Sequence, residues 1–224
     1  MVGLMPIGEV IQVSVPFRVL AVAVVILVAS GGVFVVLVRR WTSHRWRTAM
    51  AEWARPRRLT VHLPPDHAPL PAVLTPVTTH GSQTLLIVKG ELLQIVQLQT
   101  TDPPAGKGSG PFRWNLLIRQ IESQWPATGL RPVSHRVSAL DFFSLSSFPS
   151  MGETDRFVVF GTDSTPARVL SKSMGRALLP PDVGLLLIDR WLILDFSTRP
   201  FDTIEFGRMI ALADQLAGKL PAPN

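Results

Sequence analysis

The side chains best suited to chemistry are five histidines (His44, His62, His67, His80 and His135) and a set of carboxylates. A helical metal site needs its ligands on one face, as two histidines at i, i+4 are. His62 and His67 are five apart with Pro64 and Pro65 between them, so no helix presents them together. There is no cysteine, which excludes disulfides, thiolate metal sites and cysteine nucleophiles. Serine, histidine and aspartate are present, but no nucleophile-elbow pattern joins them. The Gly-Lys-Gly-Ser run at 106–109 resembles part of a phosphate loop, yet that loop requires glycine at position 101, where Thr101 stands. Asp155, Asp163, Asp189, Asp195 and Asp202 fall at expected strand ends and turns, where aspartate serves as turn or cap residue. Trp114 and Trp191 suit sheet faces better than ligand platforms. The residues therefore predict no catalytic group, no cofactor and no metal.

Charge is the stronger signal. The 224 residues carry a net +6, with 46% hydrophobic and only 17% charged side chains. Seven arginines (39, 40, 45, 47, 55, 57 and 58) crowd into residues 39–58 against a single acid, Glu52, while 59–224 sum to zero. A basic domain is thus absent, and with it the case for nucleic acid. Ahead of the arginines, Val19 to Val38 holds 20 residues without a charge. As a helix that run spans roughly 30 Å, the hydrocarbon thickness of a bilayer. Two rival readings are a cleaved signal peptide and a buried helix of a soluble protein. The apolar run continues past the small residues Ala29, Ser30 and Gly31 to meet Arg39-Arg40, a stop-transfer pattern, and it is apolar on every face. The flanking arginines place the N-terminus outside and the C-terminal part in the cytoplasm of a bacterial inner membrane.

Within that span, Ser30, Gly31 and Gly32 leave a small-residue notch. It is either ordinary tolerance of glycine in lipid or a docking face for a partner helix. Below it, Arg39, Arg40, Trp41, Arg45, Trp46, Arg47 and Trp53 form a collar, with Trp46, Ala49, Met50 and Trp53 at helical spacing. The collar is read either as a plain topology determinant or as a contact for anionic lipid headgroups and partner subunits. Arg55-Pro56 ends this helix. The expected segments are an extracytoplasmic 1–18, a transmembrane 19–38, a juxtamembrane 39–57 and a soluble 58–224.

The soluble part opens with a short edge strand at 58–63 and a proline-rich stretch, 64–76, read as an extended crossing of a sheet face or as a spacer. Thr84–Gln99 reads as a hairpin about Lys89-Gly90, and 100–111 as a loop. Phe112, Trp114, Leu116 and Ile118 alternate with polar residues and predict a strand, with a helix over 113–125 as rival. A separate strand over 130–137 follows the Trp125-Pro126 break, and 138–151 gives no clear pattern. Arg156–Phe160 predicts a strand, and Thr165-Pro166 a helix start with the stripe Leu170, Met174 and Leu178. Leu185–Ile188 and Trp191–Phe196 read as a hairpin about Asp189-Arg190. A last helix over 200–220 carries Ile204, Met209, Leu212, Ala213 and Leu216 on one side. The fold class predicted is α+β, a single transmembrane helix followed by an antiparallel sheet with helices on one face.

The stretch from Leu130 to Pro221, with DRFVVFGTDSTPARVLSKSMGRALLPP and LLLIDRWLILDF at its centre, resembles the uncharacterised bacterial membrane proteins of the domain-of-unknown-function 3137 type. Phe157, Asp163, Ala167 and Leu170 carry the pattern, while Gly152-Glu153-Thr154-Asp155 replaces the usual acidic-Phe-Asn lead-in. The resemblance implies membrane helices before a soluble domain and no catalytic residue. The expectation is a non-enzymatic accessory or structural subunit of a larger membrane complex, with a respiratory or photosynthetic host as examples. Its partners are the bilayer, anionic headgroups and other integral-membrane subunits. The alternatives are a stand-alone membrane-tethered ligand-binding or regulatory domain and, behind it, an enzyme.

Overall fold

The computed structural model describes residues 45–66, 68–79, 81–101, 111–135, 137–143, 150–173 and 178–220. The expected membrane span, with Ser30, Gly31, Gly32, Arg39, Arg40 and Trp41, lies outside them, as do the 106–109 run, His44, His67, His80 and Met174. Among the described residues no helix is long and apolar enough to cross a membrane. The chain divides into two units, 1–49 and 50–224. The second unit holds the sheet.

Seven antiparallel strands make that sheet: β1 (Thr60–His62), β2 (Gln83–Lys89), β3 (Leu93–Thr100), β4 (Phe112–Pro132), β5 (Ser150–Glu153), β6 (Phe157–Gly161) and β7 (Gly184–Asp195). The helices are α1 (residues 45–54), α2 (Thr75–Thr78), α3 (Ser164–Ser173) and α4 (Thr203–Lys219). The predicted β2–β3 hairpin is present, and its register pairs Lys89 with Gln94. Alternation over 112–118 gives a strand, so the rival helix is absent.

β4 organises the domain. Its residues 116–119 pair with both β3 and β7, and 128–130 with both β6 and β7. A strand has two edges, so β3 and β6 share the edge of β4 opposite β7. Two expected breaks are absent. Leu130–Pro132 belongs to β4, and 184–195 is one strand and not a hairpin. Pro126 falls within the register shift between Trp125 and Thr128, where its missing N–H is not needed by the ladder. Opposite Trp125, Asp189 takes φ 52°, absorbing the irregularity without reversing the chain. Aspartate tolerates this left-handed conformation and a β-branched residue does not. Asp189→Gly is therefore expected to leave stability within about 0.5 kcal/mol, and Asp189→Val to cost about 1–2 kcal/mol, read from urea unfolding of the two variants side by side.

Both faces of the sheet are covered. One face carries Val96, Leu98, Trp114, Leu116, Ile118, Leu186 and Ile193. It packs under Ala68, Leu74 and Val77 and under the buried 3-10 turn Ala139–Phe143. The proline-rich stretch is thus part of the core, not a spacer. The opposite face carries Leu117, Arg119 and Leu194, and α4 covers it, with Arg119 paired to Asp214. α3 packs on this same face farther along, where a side chain at Gly161 would meet Ala167 at 3.4 Å. The expectation of helices on one face holds for the two long C-terminal helices. It missed the short helical segments on the other face.

Two details of the helices differ from the expectation. Asp163, not Thr165, caps α3, accepting from Thr165 N at 2.9 Å. On α4, Ile204 is 68% exposed, and Phe206 with Met209, Ala213 and Leu216 forms the buried stripe. The N-cap fixes this rotation. Asp202 accepts from Ile204 N and Glu205 N, which places Ile204 on the first turn facing out.

Candidate functional site

The collar residues that the structure describes sit on α1. Arg45 and Arg47 are exposed and Trp46 is half-buried. The residues of this helix that belong to the second unit, 50–54, pack into it. Met50 and Ala54 are fully buried. The ring of Trp53 meets Phe206 edge-on at 5.6 Å, and Phe206 in turn contacts Phe201 at 4.6 Å and Phe196 at 6.4 Å. Arg57 lies 4.7 Å over the other side of Trp53 and donates to Trp53 O at 2.8 Å. Trp53 therefore serves the fold, and what it leaves exposed nearby is arginine. The helix closes through a 3-10 turn, Arg55–Arg57, with Arg58 left-handed at φ 55°. Arg58 N donates to Arg55 O and Leu59 N to Ala54 O, which satisfies the last carbonyls.

A second constellation lies where β7 ends, and the sequence did not announce it. Asp195 is fully buried. Its Oδ2 accepts from Ser138 Oγ at 2.6 Å and Ala139 N at 2.8 Å, and its Oδ1 accepts from the N–H and hydroxyl of Ser197. Asn115 N donates to Ser197 Oγ, Asn115 Nδ2 to Arg199 O, and Gln97 Nε2 to Asn115 Oδ1. Arg199 grips Asp182 through Nε and Nη2, at 2.8 and 2.6 Å, and Glu205 through Nη1 at 2.6 Å. His135 is buried, with Nε2 3.4 Å from Thr198 Oγ1.

Serine, histidine and aspartate are close here, yet they do not form a catalytic relay. Both serine hydroxyls point at Asp195, His135 faces Thr198, and Ser138 is 1% exposed. Nucleophilic catalysis needs the base on the nucleophile and access for substrate. The network is a latch that closes the 196–202 turn onto the sheet. One signal for it was legible: Asp195 ends an otherwise apolar run, WLILDF, where a solvated turn residue is out of place.

The fork of Arg199 holds the Asp182 carboxyl below its ordinary value of 3.8, chiefly by hydrogen bonding, with burial opposing. The guanidinium is correspondingly raised. A depressed carboxylate contributes stability above its unfolded pKa and loses it as pH falls through the folded one. The latch is therefore intact at neutral pH and weakens below about pH 4. Acid titration of wild type and Asp182→Asn, followed by melting temperature, is expected to converge at low pH and to separate above about pH 4. Arg199 titrates far above that window and adds no slope.

The other expected residues are dispersed. Asp202 and Asp163 cap helices, Asp155 is exposed, and His62 has its Nε2 3.1 Å from the hydroxyl of Thr60. Trp114 is buried and donates to Thr100 Oγ1 at 2.8 Å. Among the described residues no three His, Asp or Glu side chains gather as metal ligands. Two open grooves flank α4. One, of about 450 Å³, runs along Leu92, Arg119, Ile121, Asp214 and Leu220. The other, of about 420 Å³, is bounded by Arg57, Arg58, Leu59, Gly90, Glu91, Leu93 and Ile210.

No protein-family model matches the sequence, and no curated protein matches it. Among solved structures, the crystal structure of the mycobacterial trehalose monomycolate transport factor A, TtfA, is similar. The TM-score is 0.53 and the identity 9%, over 79% of this chain and 97% of the other. What the two chains share is a fold, and it extends across nearly all of TtfA.

Proposed function

We propose that the chain is a non-enzymatic, single-pass protein of the bacterial inner membrane and an accessory subunit of a larger membrane assembly, with its α+β domain on the cytoplasmic side. The observation that carries this reading is the entry of the juxtamembrane helix into the core. Met50 and Ala54 are buried and Trp53 packs on Phe206. A domain that only needed tethering is served by a flexible linker. Residues 50–54 are instead built into the core, so the domain begins with structured helix and not with a flexible linker, which suits a subunit packed on neighbours.

Three further points support it, one of them the resemblance read from the sequence. The polar network at Asp195 is satisfied internally and offers no reacting group. The resemblance to the domain-of-unknown-function 3137 type implies no catalytic residue. The neighbour in fold is by its title a transport factor. That title extends the range of hosts from respiratory or photosynthetic complexes to a transport assembly, while trehalose monomycolate remains the neighbour's cargo.

The small residues Ser30, Gly31 and Gly32 are proposed as the contact for a partner helix, and the collar arginines for anionic headgroups. A cytoplasm-active reporter fused after Asn224 is expected to be active and a periplasm-active one silent. The reverse pattern overturns the orientation. The open grooves beside α4 favour a second reading, a tethered ligand-binding domain acting alone, which predicts a ligand-dependent rise in melting temperature.

A further inference from the structure

The groove of about 420 Å³ beside the end of the juxtamembrane helix combines two features that rarely coincide by chance on a surface. Its rim is cationic. Arg57 and Arg58 line it against one acid, Glu91, and Arg55 is exposed next to them. Its walls include apolar side chains from three separate elements: Leu59 ahead of β1, Leu93 of β3 and Ile210 of α4, each half-buried. The rim is also preorganised. Arg57 is pinned by its hydrogen bond to Trp53 O and by the Trp53 ring. Arg58 is held left-handed by the two hydrogen bonds that close the helix. Gly90 lets Leu59 pack closely against the β2–β3 turn and so seats it in the wall, since a Cβ there would come within 2.7 Å of Leu59 Cδ2. Guanidiniums recognise phosphate oxygens through paired N–H donors, and the held Arg57 side chain and Arg58 backbone reduce the ordering left to do on binding.

We infer that this groove is a binding site for one anionic phospholipid, with its phosphate at Arg57 and Arg58 and its glycerol and upper acyl carbons along Leu59, Leu93 and Ile210. A free phosphate would use the arginines and leave the apolar wall unused, and a zwitterionic lipid would gain less from the cationic rim. The site belongs to the folded domain, distinct from the collar arginines, and holds whichever assembly hosts the chain.

The test is a titration of the full chain in neutral detergent with short-chain phosphatidylglycerol, followed by calorimetry. Saturable binding of one lipid per chain is expected. Each arginine near an anionic headgroup is worth roughly a fivefold change in affinity. Arg57→Gln/Arg58→Gln should therefore weaken binding roughly thirtyfold, while Arg168→Gln/Arg190→Gln, which removes two exposed arginines outside the groove, leaves it unchanged. Because Arg57 also stacks on Trp53, Ile210→Glu provides a second variant that places a like charge in the groove and spares that contact. It should weaken binding roughly fivefold or more, by the one added charge and the lost apolar contact. The proposal is overturned by absence of saturable binding, by equal losses in the Arg57/Arg58 and Arg168/Arg190 variants, or by full binding in Ile210→Glu. Equal binding of short-chain phosphatidylcholine, or of glycerophosphate, overturns it as well.

Discussion

Phe206→Ala is expected to destabilise the domain by about 3–5 kcal/mol, a large share of the 5–15 kcal/mol typical of a whole domain. Phe206 is fully buried and holds three aromatic rings together: Trp53 from the juxtamembrane helix, Phe196 from the end of β7 and Phe201 ahead of α4. Truncation removes the transfer energy of the ring and leaves a cavity that the three neighbours cannot all close. The consequence is also specific in place. Trp53 loses its partner, so residues 50–57 should exchange amide hydrogens faster than β6 or α3, measured in the same sample. Phe206→Leu keeps most of the volume and should cost roughly 1–1.5 kcal/mol. Equal loss of protection everywhere would mean that the helix is not docked through this ring. In that case, the account of how the domain is presented fails.

Asp195→Ala should cost a similar amount, about 3–5 kcal/mol, for a different reason. The carboxylate accepts from Ser138 Oγ, Ala139 N and both donors of Ser197, and it is completely buried. The hydroxyls can turn elsewhere, but the two backbone N–H groups cannot, and each buried orphan costs about 1–3 kcal/mol. Asp195→Asn separates the two halves of the hub. One carbonyl oxygen keeps one pair of donors, and the new amide faces the other pair. Its cost should fall between wild type and alanine. Because Asp195 ties β7 to the 3-10 turn Ala139–Phe143, the variants should loosen that turn first. Hydrogen exchange at 138–143, compared with α4, checks this. Loss confined to α4 would contradict the assignment.

Much of the sheet was legible in the sequence because local rules and tertiary structure agree there. Lys89-Gly90 between two apolar arms gave the β2–β3 hairpin, and period-two alternation gave the first half of β4. The errors share one physical origin. Polar or proline-bearing pairs inside long strands look like turns when read locally. Asp189-Arg190 and Trp125-Pro126 instead sit opposite one another as matched irregularities, so the strands continue through them. Only the pairing of β4 with β7 shows that, and pairing is a long-range property. Ile204 was misplaced because apolarity alone does not fix the rotation of a helix, whereas the Asp202 cap does. The Asp195 network was missed because its members come from β4, β7, the 3-10 turn and the turn before α4, which no linear motif unites. The collar, by contrast, was read from composition and spacing, and among its described residues Trp53 packs into the domain.

The measurement that bears most directly on the accessory-subunit reading is native purification of the full chain in a mild detergent, with mass spectrometry of the intact species. The account predicts stoichiometric recovery with at least one integral-membrane protein. That association should be reduced by enlarging the notch residues Gly31 and Gly32 to leucine, with no change in the melting temperature of the domain. A monomer recovered alone from native membranes, at the mildest extraction that solubilises it, contradicts the accessory-subunit reading and leaves the tethered ligand-binding domain as the function to pursue.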